Sequence, residues 1–96
     1  MKVYIYNAKR SPIGKYKKSL KKTGCREIGQ QVVKGLFNSK LKPQMVDKVI
    51  CGNVLSAGLG QNIARQILID SGIPQEKCAV SINMVCGSGL KSINYA

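Results

Sequence analysis

A chain of 96 residues has room for one small domain and no second core, since single domains most often run to ~100–150 residues. An apolar content of 44% is that of a globular chain and argues against disorder along the whole length. Sixteen basic against four acidic residues give a formal charge of +12. That favours an anionic partner such as nucleic acid, a membrane surface or a phosphorylated small molecule, without choosing among them.

Histidine is absent, so any step that needs the usual near-neutral general base has to borrow one. Cys25, Cys51, Cys78 and Cys86 contain no C-x-x-C pair. Zinc-ribbon and finger patterns therefore do not apply, and the reading is reduced thiols with no metal site. No run approaches the ~18 apolar residues of a membrane span. The stretch Met1 to Tyr6 is too short for a secretory segment before Lys9 and Arg10 interrupt it, so the chain reads as cytoplasmic with no membrane partner.

In chain order, Val3-Tyr4-Ile5-Tyr6 predicts a buried strand over 2–7, ended by Asn7 ahead of Pro12 and Gly14. Lys15 to Lys22 carries most of the local charge, has little that could enter a core, and reads as a solvated loop. From Cys25 to Ser39, Ile28, Val32, Val33, Leu36 and Phe37 recur at helical spacing, while Arg26, Gln30 and Lys34 point elsewhere. Gly29 and Gly35 each cost this helix up to ~1 kcal/mol relative to Ala, so close packing on a neighbour is expected to hold it.

Lys48 to Cys51 reads as a short strand closed by Gly52. Asn62 to Ser71 predicts a second helix with Ile63, Ala64, Ile67 and Leu68 inward and a stop at Gly72 and Pro74. Cys78 to Met84 alternates as a strand with Cys78, Val80, Ile82 and Met84 on one face. Cys86-Gly87-Ser88-Gly89 then turns into a last helix with Leu90 and Ile93 inward. Strands alternating with helices predict α/β architecture, a mainly parallel sheet covered by helices, with ligands at the carboxyl ends of the strands. The last helix stops at Ala96 without a cap, and the chain reads as an incomplete domain.

Cys86 lies where a strand ends and a helix starts. Unpaired N–H groups and the positive end of the helix dipole stabilise a thiolate over a thiol there. Gly87 and Gly89 permit a sharp change of direction and close approach to the sulfur. The logic resembles a nucleophile elbow without matching G-x-S-x-G; a buried structural cysteine is the plain alternative. Gly87 to Ser92 fails as a phosphate loop, because Leu90 stands where a glycine must precede the Lys-Ser pair. Gly58-Leu59-Gly60-Gln61-Asn62-Ile63 fails the dinucleotide fingerprint at Ile63 and reads as a connecting turn. Lys15 to Lys22 has only Tyr16 to stack a base, so specific nucleic-acid reading is not expected.

Three blocks in order resemble one family, the thiolases. Ala8-Lys9-Arg10-Ser11-Pro12-Ile13-Gly14 is similar to the family's opening A-x-R-[ST]-P-x-G. Gly52-Asn53-Val54-Leu55 with Gly58 to Arg65 resembles its central signature. Ile82-Asn83-Met84-Val85-Cys86-Gly87-Ser88-Gly89-Leu90-Lys91 resembles the block around the acyl-accepting cysteine. Ketoacyl synthases share the fold and a cysteine at a helix start, but Val-Cys-Gly-Ser-Gly fits thiolase better.

The resemblance implies the N-terminal part of the first half of a layered α/β/α/β/α architecture, with residues 1–96 as an incomplete N-terminal domain. It implies Cys86 as a nucleophile that takes an acyl group from acetyl-CoA or a 3-ketoacyl-CoA, its backbone N–H serving as an oxyanion donor. No cofactor is permanently bound on this reading; coenzyme A thioesters are substrates, and the intact protein is a homodimer or homotetramer. The strand 78–84 lies near the dyad, where it would pair with a partner chain. The family's G-H-P histidine, its second histidine and its second catalytic cysteine have no counterpart in this chain. It is therefore expected to be inactive alone, with a basic nucleic-acid-binding module or a non-catalytic oligomer partner as the alternatives. Lys15 to Lys22 departs from the family pattern.

Overall fold

The computed structural model describes residues 1–96. Its elements follow in the order α1 (Cys25–Leu36), β1 (Lys48–Gly52), α2 (Ile63–Asp70), β2 (Cys78–Ile82) and α3 (Ser88–Tyr95), with one 3-10 turn at Pro43–Met45. β1 and β2 pair in parallel, from Lys48 opposite Cys78 to Gly52 opposite Ile82. The α/β expectation holds in a two-stranded form.

Pleating divides each strand between two faces. Cys51 shares a cavity with Cys25 and Gly29 of α1 and with Ile63 and Ile67 of α2, whereas Lys48 and Ile50 face Ser92 and Ile93 of α3. The sheet is thus covered by α1 and α2 on one side and by α3 on the other.

The core is the cluster beneath α2: Ile63, Ala64, Ile67 and Leu68, as the helical spacing foretold, with Ile73 just beyond. Burying a side chain of the Ile or Leu size stabilises by about 1.5–3 kcal/mol. Both ends of α2 are fastened. At its start Asn62 takes a left-handed conformation (φ 38°) and its side chain accepts the Arg65 N–H at 3.3 Å. Ser81 of β2 donates to the Asn62 Oδ1 at 2.9 Å and accepts the Ala64 N–H at 3.0 Å. At its end Gly72 (φ 78°) lets the Gly72 N–H reach the Ile69 carbonyl and the Ile73 N–H reach the Leu68 carbonyl. That pairing satisfies the last carbonyls and seats Ile73 in the core.

α1 crosses α2 where Gly29 lies against Ile67; a Cβ at 29 would come 2.9 Å from the Ile67 Cγ1. Gly29 therefore has the close neighbour expected of it. Gly35 does not, since a Cβ there would meet only the Lys9 side chain at 3.9 Å. Arg26 and Gln30, expected to point away, instead reach α2. The Arg26 guanidinium pairs with the Asp70 carboxylate, its Nη2 at 2.7 Å, and Gln30 donates to the Asp70 carbonyl at 3.0 Å. These two side chains are long enough to reach from the flank of α1 to the end of α2.

Three further expectations fail for one reason, a shortage of cover. Residues 2–7 form no strand, and Val3 and Ile5 are 78% and 87% exposed. A strand draws its hydrogen bonds from a neighbour, and the segment's one tie is the Asn7 side chain donating to the Leu36 carbonyl at 3.2 Å. Leu90 and Ile93 of α3 are 68% and 65% exposed rather than buried. β2 ends at Ile82, with Met84 only bridged to Cys86. Its Cys78 and Val80 are exposed, while Ala79 and Ser81 are half-buried towards α2. A compact chain of 10.4 kDa exposes about 5,400 Å²; this one exposes 7473 Å². Roughly a quarter of its surface is thus more than a closed globule would show.

Candidate active site

Cys86 sits in the tight connection from β2 to α3, exposed to solvent, two residues ahead of the first helical residue, Ser88. The chain reverses there through Val85, held at φ 48°. A β-branched residue in the left-handed region is a genuine outlier that costs on the order of 1–3 kcal/mol. Such strain persists only where neighbours over-determine it, and here they do. The Val85 N–H donates to the Asn83 Oδ1 at 2.9 Å, and the Val85 carbonyl accepts from the Ser88 Oγ at 2.6 Å and the Ser88 N–H at 3.1 Å. The Ser88 hydroxyl also accepts the Met84 N–H at 2.8 Å, and the Gly87 N–H closes on the Met84 carbonyl at 3.0 Å.

Ser88 is 4% exposed, so this web lies behind the turn while the sulfur stands in front of it. The Cys86 N–H donates to no backbone or side-chain acceptor. A free N–H next to a sulfur at a helix start is the arrangement that holds a developing oxyanion.

One glycine makes the arrangement possible. At Gly87 an added Cβ would clash only with the movable end of the exposed Met84 side chain. A Cβ on Gly52, at the end of β1, would strike the Ser88 carbonyl group and come 2.6 Å from the Gly89 nitrogen. β1 thus props the first turn of α3 by backbone contact. Gly52 belongs to the site although its sequence position suggested a strand end and a place in the central signature but no contact with α3, and Asn83 and Ser88 likewise carried no sequence signal beyond their place in the motif.

Gly58 to Asn62 folds as a turn that leads into α2 at Ile63, with Gly58 and Gly60 at φ 77° and 80°, where the αL conformation favours glycine. Gln66 holds it by donating to the Leu59 and Gln61 carbonyls at 2.7 and 2.8 Å. With Asn53, Ser81 and Asn83 this turn walls a cavity of about 270 Å³ at the carboxyl ends of both strands. Cys86 is not among the lining residues of that cavity; only Asn83 belongs to both neighbourhoods.

The chain holds no histidine to serve as a base at the sulfur. Lys91 lies instead over the ring of Tyr95, 5.0 Å from its centroid. Among the other thiols, burial pushes the Cys51 thiol up from its usual range, with a smaller contribution from nearby Cys25. Cys51 is therefore kept protonated near neutrality. Lys15 to Lys22 forms successive turns that are exposed apart from half-buried Leu20, as expected of a solvated loop. No helix is long and apolar enough to cross a membrane.

A family profile described as "Thiolase, N-terminal domain" matches residues 3–96. The chain belongs to the thiolase family. It is 46% identical over 95 residues to an acetyl-CoA acetyltransferase of Allochromatium vinosum, covering 98% of this chain and 24% of that protein. Against an acetyl-CoA acetyltransferase of Escherichia coli it is 47% identical over 93 residues, covering 96% and 24%. A Clostridioides difficile protein of the same name is 45% identical over 91 residues, covering 94% of this chain and 85% of that one. The crystal structure of a thiolase from Ascaris suum in complex with coenzyme A superposes with a TM-score of 0.80 at 43% identity, over 83% of this chain and 21% of that one. The chain thus spans about a quarter of the length of most of these thiolases. The family match supports the acyltransferase reading and leaves that of a basic nucleic-acid module without support.

Proposed function

We propose that this thiolase chain carries the acyl-accepting nucleophile of an acetyl-CoA C-acetyltransferase, and that Cys86 is that nucleophile. The thiolate attacks the thioester carbonyl of an acyl-CoA. The tetrahedral oxyanion is met by the free Cys86 N–H, and collapse expels coenzyme A as a thiolate that takes up a proton, leaving an S-acyl enzyme. Condensation then needs a second acetyl-CoA to lose an α-proton. Its carbanion attacks the S-acyl carbonyl to give acetoacetyl-CoA and returns the Cys86 thiolate; thiolysis of a 3-ketoacyl-CoA is the reverse.

The observation that carries the reading is the strained turn presenting Cys86 ahead of α3 with its own N–H unoccupied. Residues 1–96 on this reading are an incomplete N-terminal domain. With no histidine in the chain and Lys91 engaged by Tyr95, the base that removes the α-proton comes from another part of a working thiolase. Dimeric or tetrameric assembly and a cytoplasmic setting, with no specific nucleic acid and no membrane partner, belong to the same proposal.

The test separates the two half-reactions. Incubated with acetyl-CoA, the purified chain is expected to gain an acetyl adduct that peptide mass spectrometry places on Cys86 and that Cys86→Ser abolishes. Coupled assays should detect no acetoacetyl-CoA from the chain alone. An adduct on another cysteine with Cys86 unmodified would refute the assignment of the nucleophile, and turnover by the chain would refute its expected inactivity alone.

A further inference from the structure

We propose that Ser88 is a positioning residue for the Cys86 nucleophile: its buried hydroxyl clamps Val85 in the left-handed conformation that turns the sulfur outward at the start of α3. The proposal rests on the reading of Cys86 as nucleophile and adds to it the side chain that aims the thiol.

The Ser88 Oγ is the one side-chain atom that bonds on both sides of the Val85 residue. It accepts the N–H of Met84, before the bend, and donates to the carbonyl of Val85, at the bend, at 2.8 and 2.6 Å. One hydroxyl thus uses both its donor and an acceptor position on backbone only four and three residues upstream. Asn83 holds the same residue from its amide side. Between them both polar groups of Val85 are fixed, which is what a β-branched residue at φ 48° requires if it is not to relax into the extended region.

Relaxation would rotate the peptide joining Val85 to Cys86, and with it the free Cys86 N–H and the direction of the thiol. Ser88 does not touch a reacting atom in this arrangement. Its effect passes entirely through the conformation of Val85, and that gives the proposal a signature different from general loss of stability. A glycine at 85 populates positive φ about as readily as negative, so it should make the clamp unnecessary.

The readout is the rate of iodoacetamide alkylation of Cys86 divided by that of exposed Cys78 in the same molecule, resolved by peptide mapping. Global unfolding drives this ratio towards one and is checked by circular dichroism. For the wild type the ratio should exceed one clearly; a ratio near one would overturn the reading of Cys86 as nucleophile, a failure separate from that of the clamp.

Ser88→Ala is expected to lower the ratio at least threefold, and Val85→Gly with Ser88→Ala to bring it back within twofold of wild type. An unchanged ratio in Ser88→Ala, or no recovery in the double variant, overturns the proposal. Should Ser88→Ala prove unfolded, Val85→Gly alone is compared with the double variant: equal ratios support the clamp, and a further threefold fall overturns it.

Discussion

Replacing Gly52 by alanine tests whether β1 props the first turn of α3. The added methyl would lie 2.6 Å from the Gly89 nitrogen and still nearer the Ser88 carbonyl group. Ordinary contact begins near 3.4 Å, so the helix start has to retreat by at least about 0.8 Å, the difference of the two. Neither atom is the end of a flexible side chain, so a rotamer change cannot relieve the overlap, and the cost falls in the range for overpacking, about 1–3 kcal/mol. For a chain of this size each kcal/mol moves the thermal midpoint by roughly 4–8 °C, so Gly52→Ala should melt roughly 4–24 °C lower.

The same retreat displaces the Val85 turn and should depress the alkylation ratio of Cys86 to Cys78. Gly89→Ala is the matched control, at the second residue of the same helix. Nothing lies within 4 Å of its Cβ position, and a helical glycine exchanged for alanine gains up to about 1 kcal/mol. Thermal melts followed at the helical circular-dichroism band, with Cys86 alkylation measured in parallel, decide the matter. A Gly52→Ala protein that melts within about 2 °C of wild type and keeps its Cys86 reactivity would refute the contact between β1 and α3.

Two further outcomes follow from the charged and thiol groups. Hydrogen bonding to Arg26, reinforced by the charges of Arg26 and Lys34, holds the Asp70 carboxyl below the usual carboxylate range despite opposition from desolvation. Its contribution is therefore present above the unfolded-state value and lost as the pH falls through the lower folded one. Asp70→Asn should flatten that acid limb of a denaturation-midpoint profile, and a limb unchanged in the variant would remove the α1 to α2 ion pair as its cause. Cys51, raised chiefly by burial, should be the last of the four cysteines alkylated at neutral pH. Its thiol favours the folded chain below the unfolded-state value and loses that advantage as the pH rises through the folded one. Alkylation of Cys51 ahead of exposed Cys25 would contradict the burial.

Much of the fold was legible because its signals are local. α2 could be placed from the spacing of Ile63, Ala64, Ile67 and Leu68 and from its Asn62 and Gly72 ends, since capping and core-facing periodicity are decided within a few residues. Val3 to Tyr6 misled for the opposite reason. Alternation and β-branching describe what a segment can do beside a partner strand, and no such strand lies beside it here. Leu90 and Ile93 show the same limit on a helix, apolar side chains at core spacing that remain uncovered.

At the site, the sequence by itself determined which cysteine is the candidate and what flanks it: a cysteine between a strand and a helix, glycines on either side of Ser88, and a motif shared with thiolases. Only the tertiary structure decided how that cysteine is held. The positive φ of Val85, the two hydrogen bonds of the Ser88 hydroxyl and the backbone of α3 resting on Gly52 depend on atoms brought together across a turn or from a separate strand and helix. Residue types and their spacing fix which groups are available and how each short segment prefers to bend; the distances between segments follow from packing, and it is packing that aims the sulfur.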